Sequence, residues 1–331
     1  MAAAPDFPAA ELEAVLGARA ARVSVEPLPH GPPAATAGLW RIEADDQRLV
    51  LKVLHADPDG HPRWPAAHNP DHPYYWRREA LAYESGLLER LSGGLRAPHP
   101  QGCFDREDSS VAVWIEPVED PPAREWTLDR YGLAARHLGR AQGSLAAGLP
   151  DEPWLSRRWL RAYLDLRAHE IETRLEPATR PVWEARDAML ARLEAGPQTL
   201  CHLDFHPGNL FGGESETVVV DWAYCGIGAF GEDTGNLVPD TLLDGVVAAD
   251  RGAELEQVVW GGYLAGLADA GWSGDERAVR YAFAAGAGLK YVWIRARLAS
   301  GVEPETATRW RHVLPLLDEL AEEALRLASE A

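Results

Sequence analysis

Residues 200–228 read LCHLDFHPGNLFGGESETVVVDWAYCGIG, which packs His202, Asp204, His206, Asn209 and Asp221 into two strand-like pieces joined by turns. Pro207 and Gly208 supply a tight turn that returns Asn209 to the side of Asp204. The apolar run 218–220 sets Asp221 at the end of a buried strand, facing a cleft. A His-x-Asp-x-x-x-x-Asn segment followed by an Asp at a strand end is an arrangement suited to phosphoryl transfer. One carboxylate faces the acceptor hydroxyl, while the amide and the second carboxylate hold magnesium on the nucleotide phosphates. The residue types follow from the ion, because magnesium is a hard cation that takes oxygen ligands.

Such a site needs a cation on the α- and β-phosphates, held by a helical carboxylate. The chain has only two lysines against thirty arginines, and one of them, Lys52, sits among apolar residues in RLVLKVL. A lysine buried in a strand calls for a partner. Glu79 in the first turn of the REALAYESGLL helix is the natural one, with Glu84 in reserve.

Around these residues the hydrophobic period changes once. Before about residue 120 there are short strand-like runs at 23–28, 39–43, 48–54 and 111–116, interrupted by a helix over 76–91. After residue 127 the pattern predicts helices at 128–146, 156–175, 182–195, 233–248, 255–270, 276–299 and 304–329, with a β-like island at 199–221. The reading is an α+β fold of two lobes, small and β-rich over residues 1–118 and larger and mainly helical over 119–331. EPVEDPP is the extended joint between them. Residues 55–75 hold five prolines, so they form a long surface insertion and not a continuous helix or central strand. Its histidines, His55, His61, His68 and His72, are irregularly spaced and lack supporting cysteines or clustered carboxylates, so no metal site is read there.

Composition narrows the functions. Acidic residues outnumber basic ones 51 to 32, for a formal charge of -19, a field that disfavours nucleic acid and anionic lipid; it is read first as keeping the chain soluble and second as raising the local concentration of a cationic small molecule. Three cysteines, Cys103, Cys201 and Cys225, make no disulfide framework and fit a reducing, cytoplasmic setting. No apolar run approaches the ~18 residues of a membrane span, and residues 1–15 lack the layout of a signal peptide.

In order along residues 20–300, VLKVL with Lys52, WRREALAYESGLL with Glu79, ARHLGRAQG, HLDFHPGN and VVVDWAYCGIGAFGED resemble the aminoglycoside phosphotransferase family of small-molecule kinases. The resemblance implies a protein-kinase-like fold and transfer of the terminal phosphate of ATP or GTP to a hydroxyl of a small molecule, an aminoglycoside or another antibiotic or metabolite. By it, Asp204 is the catalytic base, Asn209 and Asp221 bind Mg2+, Lys52 holds the nucleotide phosphates and Glu79 positions Lys52. His202 serves as a scaffold for the loop. The nucleotide base lies against Glu116 and Val118, through the Glu116 carbonyl and the Val118 amide, since Pro117 has no N–H.

Three positions depart from the family. The phosphate-covering loop at 30–40 has only Gly31 and Gly38 and two prolines, leaving amide donors from about Ala34 to Gly38. Leu203 stands where these enzymes usually have glycine. The 55–75 insertion is longer than usual and is read as surface decoration before lid. Trp222 is the tryptophan nearest the chemistry, and Glu232 and Asp233 read as caps of the helix that follows. Two other functions compete: a zinc hydrolase using His202, Asp204 and His206, and a nucleotide-binding protein without catalysis.

Overall fold

The computed structural model describes residues 8–30, 35–56 and 65–330. In the amino-terminal lobe α1 (Ala9–Leu16) precedes β1 (Val23–Pro27), β2 (Thr36–Ala44) and β3 (Gln47–Leu54). Then come α2 (Arg78–Glu84), β4 (Leu95–Arg96), β5 (Pro100–Asp105) and β6 (Val111–Ile115). Five strands make an antiparallel sheet in the order β1-β2-β3-β6-β5. Asp45, at φ 52°, turns the two-residue β2–β3 hairpin, and its carboxylate accepts the Ala21 and Arg22 amides at 2.9 and 3.0 Å. That left-handed position suits an Asp, whose side chain can hydrogen-bond locally.

Side chains alternate along β3, and the alternation aims Lys52. Leu49, Leu51 and Val53 join Trp40, Ile42 and Trp114 in a small core closed by Leu12 of α1. Leu54 on the opposite face joins the large core that continues into the helical lobe. Lys52 shares that second face and so points toward α2. The helix expected over 76–91 stops at Glu84, because Gly86 takes φ +70° and a 3-10 turn, Leu87–Arg90, follows. α1 and β5 gave no periodic signal; Pro100 and Gly102 break the pattern of β5.

The carboxy-terminal lobe holds α3 (Leu128–Leu145), β7 (Ser156–Arg157), α4 (Trp159–Glu172), α5 (Arg180–Ala195), β8 (Gln198–Cys201), β9 (Leu210–Phe211), β10 (Thr217–Val219) and β11 (Gly226–Ala229). Five helices complete it: α6 (Glu232–Leu243), α7 (Gly252–Asp269), α8 (Glu276–Lys290), α9 (Trp293–Ser300) and α10 (Pro304–Ser329). Two three-stranded sheets, β4-β10-β9 and β7-β11-β8, bracket the catalytic segment. The helix expected over 156–175 starts late, since Ser156 and Arg157 pair with β11 instead. The one expected over 276–299 is broken after Lys290, where Tyr291 and Val292 separate α8 from α9.

α3 is the spine of this lobe and meets α7 backbone to backbone. A Cβ on Gly262 would stand 2.0 Å from the Gly132 carbonyl oxygen, so only glycine permits that approach. The whole is a two-lobed, protein-kinase-like α+β fold, with a small antiparallel sheet lobe and a helical lobe.

Candidate active site

The catalytic segment leaves β8 as the loop 202–209, and Asp221 leaves β10 nearby. Both are held in conformations that a free chain avoids: Leu203 has φ +65° and Asp221 φ +63°. Asp233 is what bends the loop. Its Oδ1 accepts the Leu203 amide at 2.7 Å, and its Oδ2 accepts the His202 amide and the Gln142 side chain, each at 2.9 Å. Gln142 comes from the last turn of α3, so the spine fixes the carboxylate that fixes the loop. The expected helix-capping role of Asp233 is thereby corrected, since this carboxylate serves the catalytic loop and not its own helix. Glu232 likewise turns back to accept the Ala229 amide at 3.1 Å.

His202 is locked on both sides. Its Nε2–H donates to the Val220 carbonyl at 3.0 Å, and its Nδ1 accepts the Asp204 amide at 3.3 Å. Burial lowers its basicity, which matches this neutral tautomer. The ring stands edge-on to Trp222 at 4.7 Å. With both nitrogens engaged, His202 has none left for zinc, and the described residues hold no group of three or more His, Cys, Asp or Glu able to bind a metal.

The remaining pieces converge. Asn209 Nδ2 donates to the Asp204 carbonyl at 3.0 Å and to its Oδ2 at 3.3 Å, which leaves the Asn209 Oδ1 uncommitted to that contact. His206 Nε2 lies 3.6 Å from the same carboxylate. Lys52 Nζ reaches Glu79 Oε2 at 2.5 Å and Asp221 Oδ1 at 2.9 Å. Burial alone would lower the Lys52 ammonium, but the charges of Asp221 and Glu79 outweigh it and hold it above its ordinary value. The same ammonium keeps the Asp221 carboxyl below its usual range despite burial. Burial pushes Glu79 up against the pull of Lys52. Glu84, the reserve partner, instead lies 3.5 Å from Arg77. The free oxygens of Asn209 and Asp221 make a hard donor set suited to a magnesium ion.

At the joint the Glu116 amide donates to the His99 carbonyl at 3.0 Å, and the Glu116 carboxylate is drawn to Arg96. Val118 lies two residues on, partly exposed. Of the phosphate-covering loop, Gly31 to Ala34 lie outside the described residues, while Thr36 and Gly38 pair with Leu54 and Val53 in the hairpin. Residues 57–64 of the insertion, with His61, also lie outside. Its later part is anchored: Tyr74 is buried, and Arg78 donates to the carbonyls of Pro70, His72, Pro73, Trp154 and Ala223 at 2.9–3.1 Å.

Arg78 was missed in the sequence, as was Lys290, the second of the two lysines. Lys290 ends α8 with its ammonium 3.9 Å from Asp204 Oδ1 and 3.7 Å from Asp240 Oδ2. The rarity of lysine was the one available signal for it.

The phosphotransferase enzyme family matches residues 34–273. This chain belongs to that family. A methylthioribose kinase of Bacillus velezensis is 32% identical over 88 residues, which cover 25% of this chain and 22% of that protein. The match thus spans about a fifth of the length of that curated relative. Among solved structures, an amicoumacin kinase in complex with AMP-PNP, Ca2+ and Ami superposes with a TM-score of 0.62 at 16% identity, covering 90% of this chain and 88% of that one. A microcompartment-associated aminopropanol kinase superposes with a TM-score of 0.58 at 18% identity, covering 93% and 94%. At such identities the two structures speak for the phosphotransferase fold. No helix among the described residues is long and apolar enough to cross a membrane.

Proposed function

We propose that the chain is a kinase that moves the terminal phosphate of ATP or GTP, as its Mg2+ complex, to a hydroxyl of a small molecule. The observation that carries this reading is the convergence of Lys52, Glu79 and Asp221 at 2.5 and 2.9 Å within one cleft with the Asp204–Asn209 pair. Residues 1–118 act as the nucleotide-binding lobe and 119–331 as the catalytic and acceptor-binding lobe. The base of the nucleotide lies against Glu116 and Val118. The metal, when bound, neutralises charge on the β- and γ-phosphates.

In this reading the Asp204 carboxylate accepts the hydrogen bond of the acceptor hydroxyl, orients its oxygen and takes its proton as the new O–P bond forms and the bond from the γ-phosphorus to the departing nucleoside diphosphate breaks. Asn209 holds Asp204 in place through two hydrogen bonds and offers its Oδ1 to the metal together with Asp221. Lys52, kept charged by its two carboxylates, binds the nucleotide phosphates. The three cysteines are unpaired in the structure, and we place the reaction in the cytoplasm on that ground.

The test is a pair of variants read by two methods. Asp204→Ala should lower transfer to any accepted hydroxyl by about 10²- to 10⁴-fold and leave the MgATP-induced rise in melting temperature intact. Asp221→Ala should remove that magnesium-dependent rise. Activity within a few-fold of the parent in both variants would show these roles to be misassigned. Nucleotide binding with no turnover of any hydroxyl, and no ATP hydrolysis above that of Asp204→Asn, would favour a binding protein instead.

A further inference from the structure

The second lysine stands where a substrate cation would be expected. Lys290 is 7% exposed, and its ammonium is surrounded by chemistry that recognises ammonium ions. Two carboxylates, Asp204 and Asp240, lie 3.9 and 3.7 Å away, and the ring centroids of Trp159 and Tyr291 lie at 5.5 and 5.6 Å. Carboxylates combined with aromatic rings are the usual means of holding an alkylammonium. At 3.7 and 3.9 Å the carboxylates are beyond hydrogen-bond reach of Nζ, so Asp204 is neighboured by the charge without being capped by it. Trp159 also keeps a buried indole N–H with no acceptor among the described residues. That donor suits an oxygen atom and has nothing to offer an ammonium ion.

We propose that Lys290 is a specificity-determining residue whose ammonium fills the cation site beside Asp204, so that the acceptor presents a neutral or anionic, oxygen-rich group there and amines are turned away. This rests on Asp204 being the acceptor-facing carboxylate. It separates this chain from the cationic acceptor that the overall charge of -19 suggests. The bulk field concentrates cations near the surface, but the side chains beside the reacting hydroxyl decide what is bound. The lysine tip is well placed for the task, because α8 reaches it through the side-chain-poor run AAGAG at 284–288, buried against α6 and α10.

The experiment removes the built-in cation and supplies one from solution. Melting temperature is measured for the parent, Lys290→Ala and Lys290→Ala/Asp240→Asn in ethylammonium chloride against sodium chloride of equal ionic strength. The expected result is no ethylammonium-specific shift in the parent, because its site is filled. Lys290→Ala should gain a rise of about 2 °C at ten times the dissociation constant, growing with the logarithm of concentration, and the double variant should gain less. Should Lys290→Ala fail to stay folded, its refolding yield in the two salts reads the same property, and recovery in ethylammonium alone supports the proposal. Equal shifts in parent and variant, or none in Lys290→Ala and no recovery on refolding, would overturn it. The MgATP shift of the parent is recorded alongside: its absence would count against the kinase reading, whereas the ammonium result concerns the Lys290 site alone.

Discussion

The two lysines of this chain, one beside Asp221 and one beside Asp204, are held differently. Lys52 is clamped, with Glu79 at 2.5 Å and Asp221 at 2.9 Å. Lys290 is only neighboured, with its carboxylates at 3.7 and 3.9 Å. Contacts of the first kind fix a charge before any ligand arrives, which suits the nucleotide end of the proposed kinase. The second kind leaves the carboxylate oxygens without a hydrogen bond from the lysine, which suits the acceptor end of the proposed kinase. On the proposed function, the nucleotide end is preorganised by direct ion pairing and the acceptor end by the walls around it.

The largest effect expected from breaking this comparison lies at the clamp. Lys52→Met leaves Glu79 buried beside Asp221 without its cation, and removing one partner of a buried pair costs about 3–5 kcal/mol. Chemical denaturation should show that loss. Lys52→Met/Glu79→Met replaces both charges with apolar side chains and should recover most of the stability while nucleotide binding stays lost. A double variant no more stable than Lys52→Met would mean that the clamp is needed for folding in a way that apolar packing cannot replace.

A prediction of intermediate size concerns Glu232, which is buried beneath the catalytic loop. Burial pushes its carboxyl up to about 7 from the ordinary carboxylate value. An acid with a raised folded-state pKa binds its proton more tightly when folded, so it favours the fold at low pH. That advantage is lost as the pH climbs from the unfolded value near 4.5 through about 7. Glu232→Gln keeps an acceptor for the Ala229 amide and does not titrate. Its stability relative to the parent should rise from pH 5 to about pH 7, by an amount on the order of 2 kcal/mol, and level off above that. A constant difference across that range would place the Glu232 charge in contact with water.

The two ends also differ in how far the sequence reveals them. Lys52, Glu79, Asp204, Asn209 and Asp221 lie in short local patterns, in which a strand period, a helix start or a turn fixes each side chain within a few residues. The two-lobed α+β architecture follows from the same signals, since the change from period two to period 3.6 near residue 120 needs no tertiary information. Lys290 carries no local pattern. It reaches Asp204 because α8 packs across α6 and ends there, a placement set by helix packing. Arg78 is invisible for the same reason, because its five carbonyl partners come from three separate stretches of chain. The helix expected over 156–175 starts late because β11 recruits Ser156 and Arg157, and strand pairing between distant segments overrides local periodicity.

The smallest expected effect concerns Leu203, where strain and burial oppose each other. A non-glycine residue at φ +65° costs about 1–2 kcal/mol, and that cost alone would make glycine the better residue. Leu203 is 1% exposed, however, and losing a buried leucine side chain costs about 2–5 kcal/mol. Burial wins, so Leu203→Gly should destabilise the chain. Leu203→Ala loses nearly as much packing and keeps the left-handed strain that glycine relieves. Alanine should therefore be the worse substitution by about 1 kcal/mol, the reverse of the order that side-chain size predicts. Denaturation midpoints of the two variants decide it. If Leu203→Ala proved the more stable, the Asp233 carboxylate would not be holding residue 203 in the left-handed region, and the hydrogen bonds at 2.7 and 2.9 Å would have to be formed by a loop of another shape.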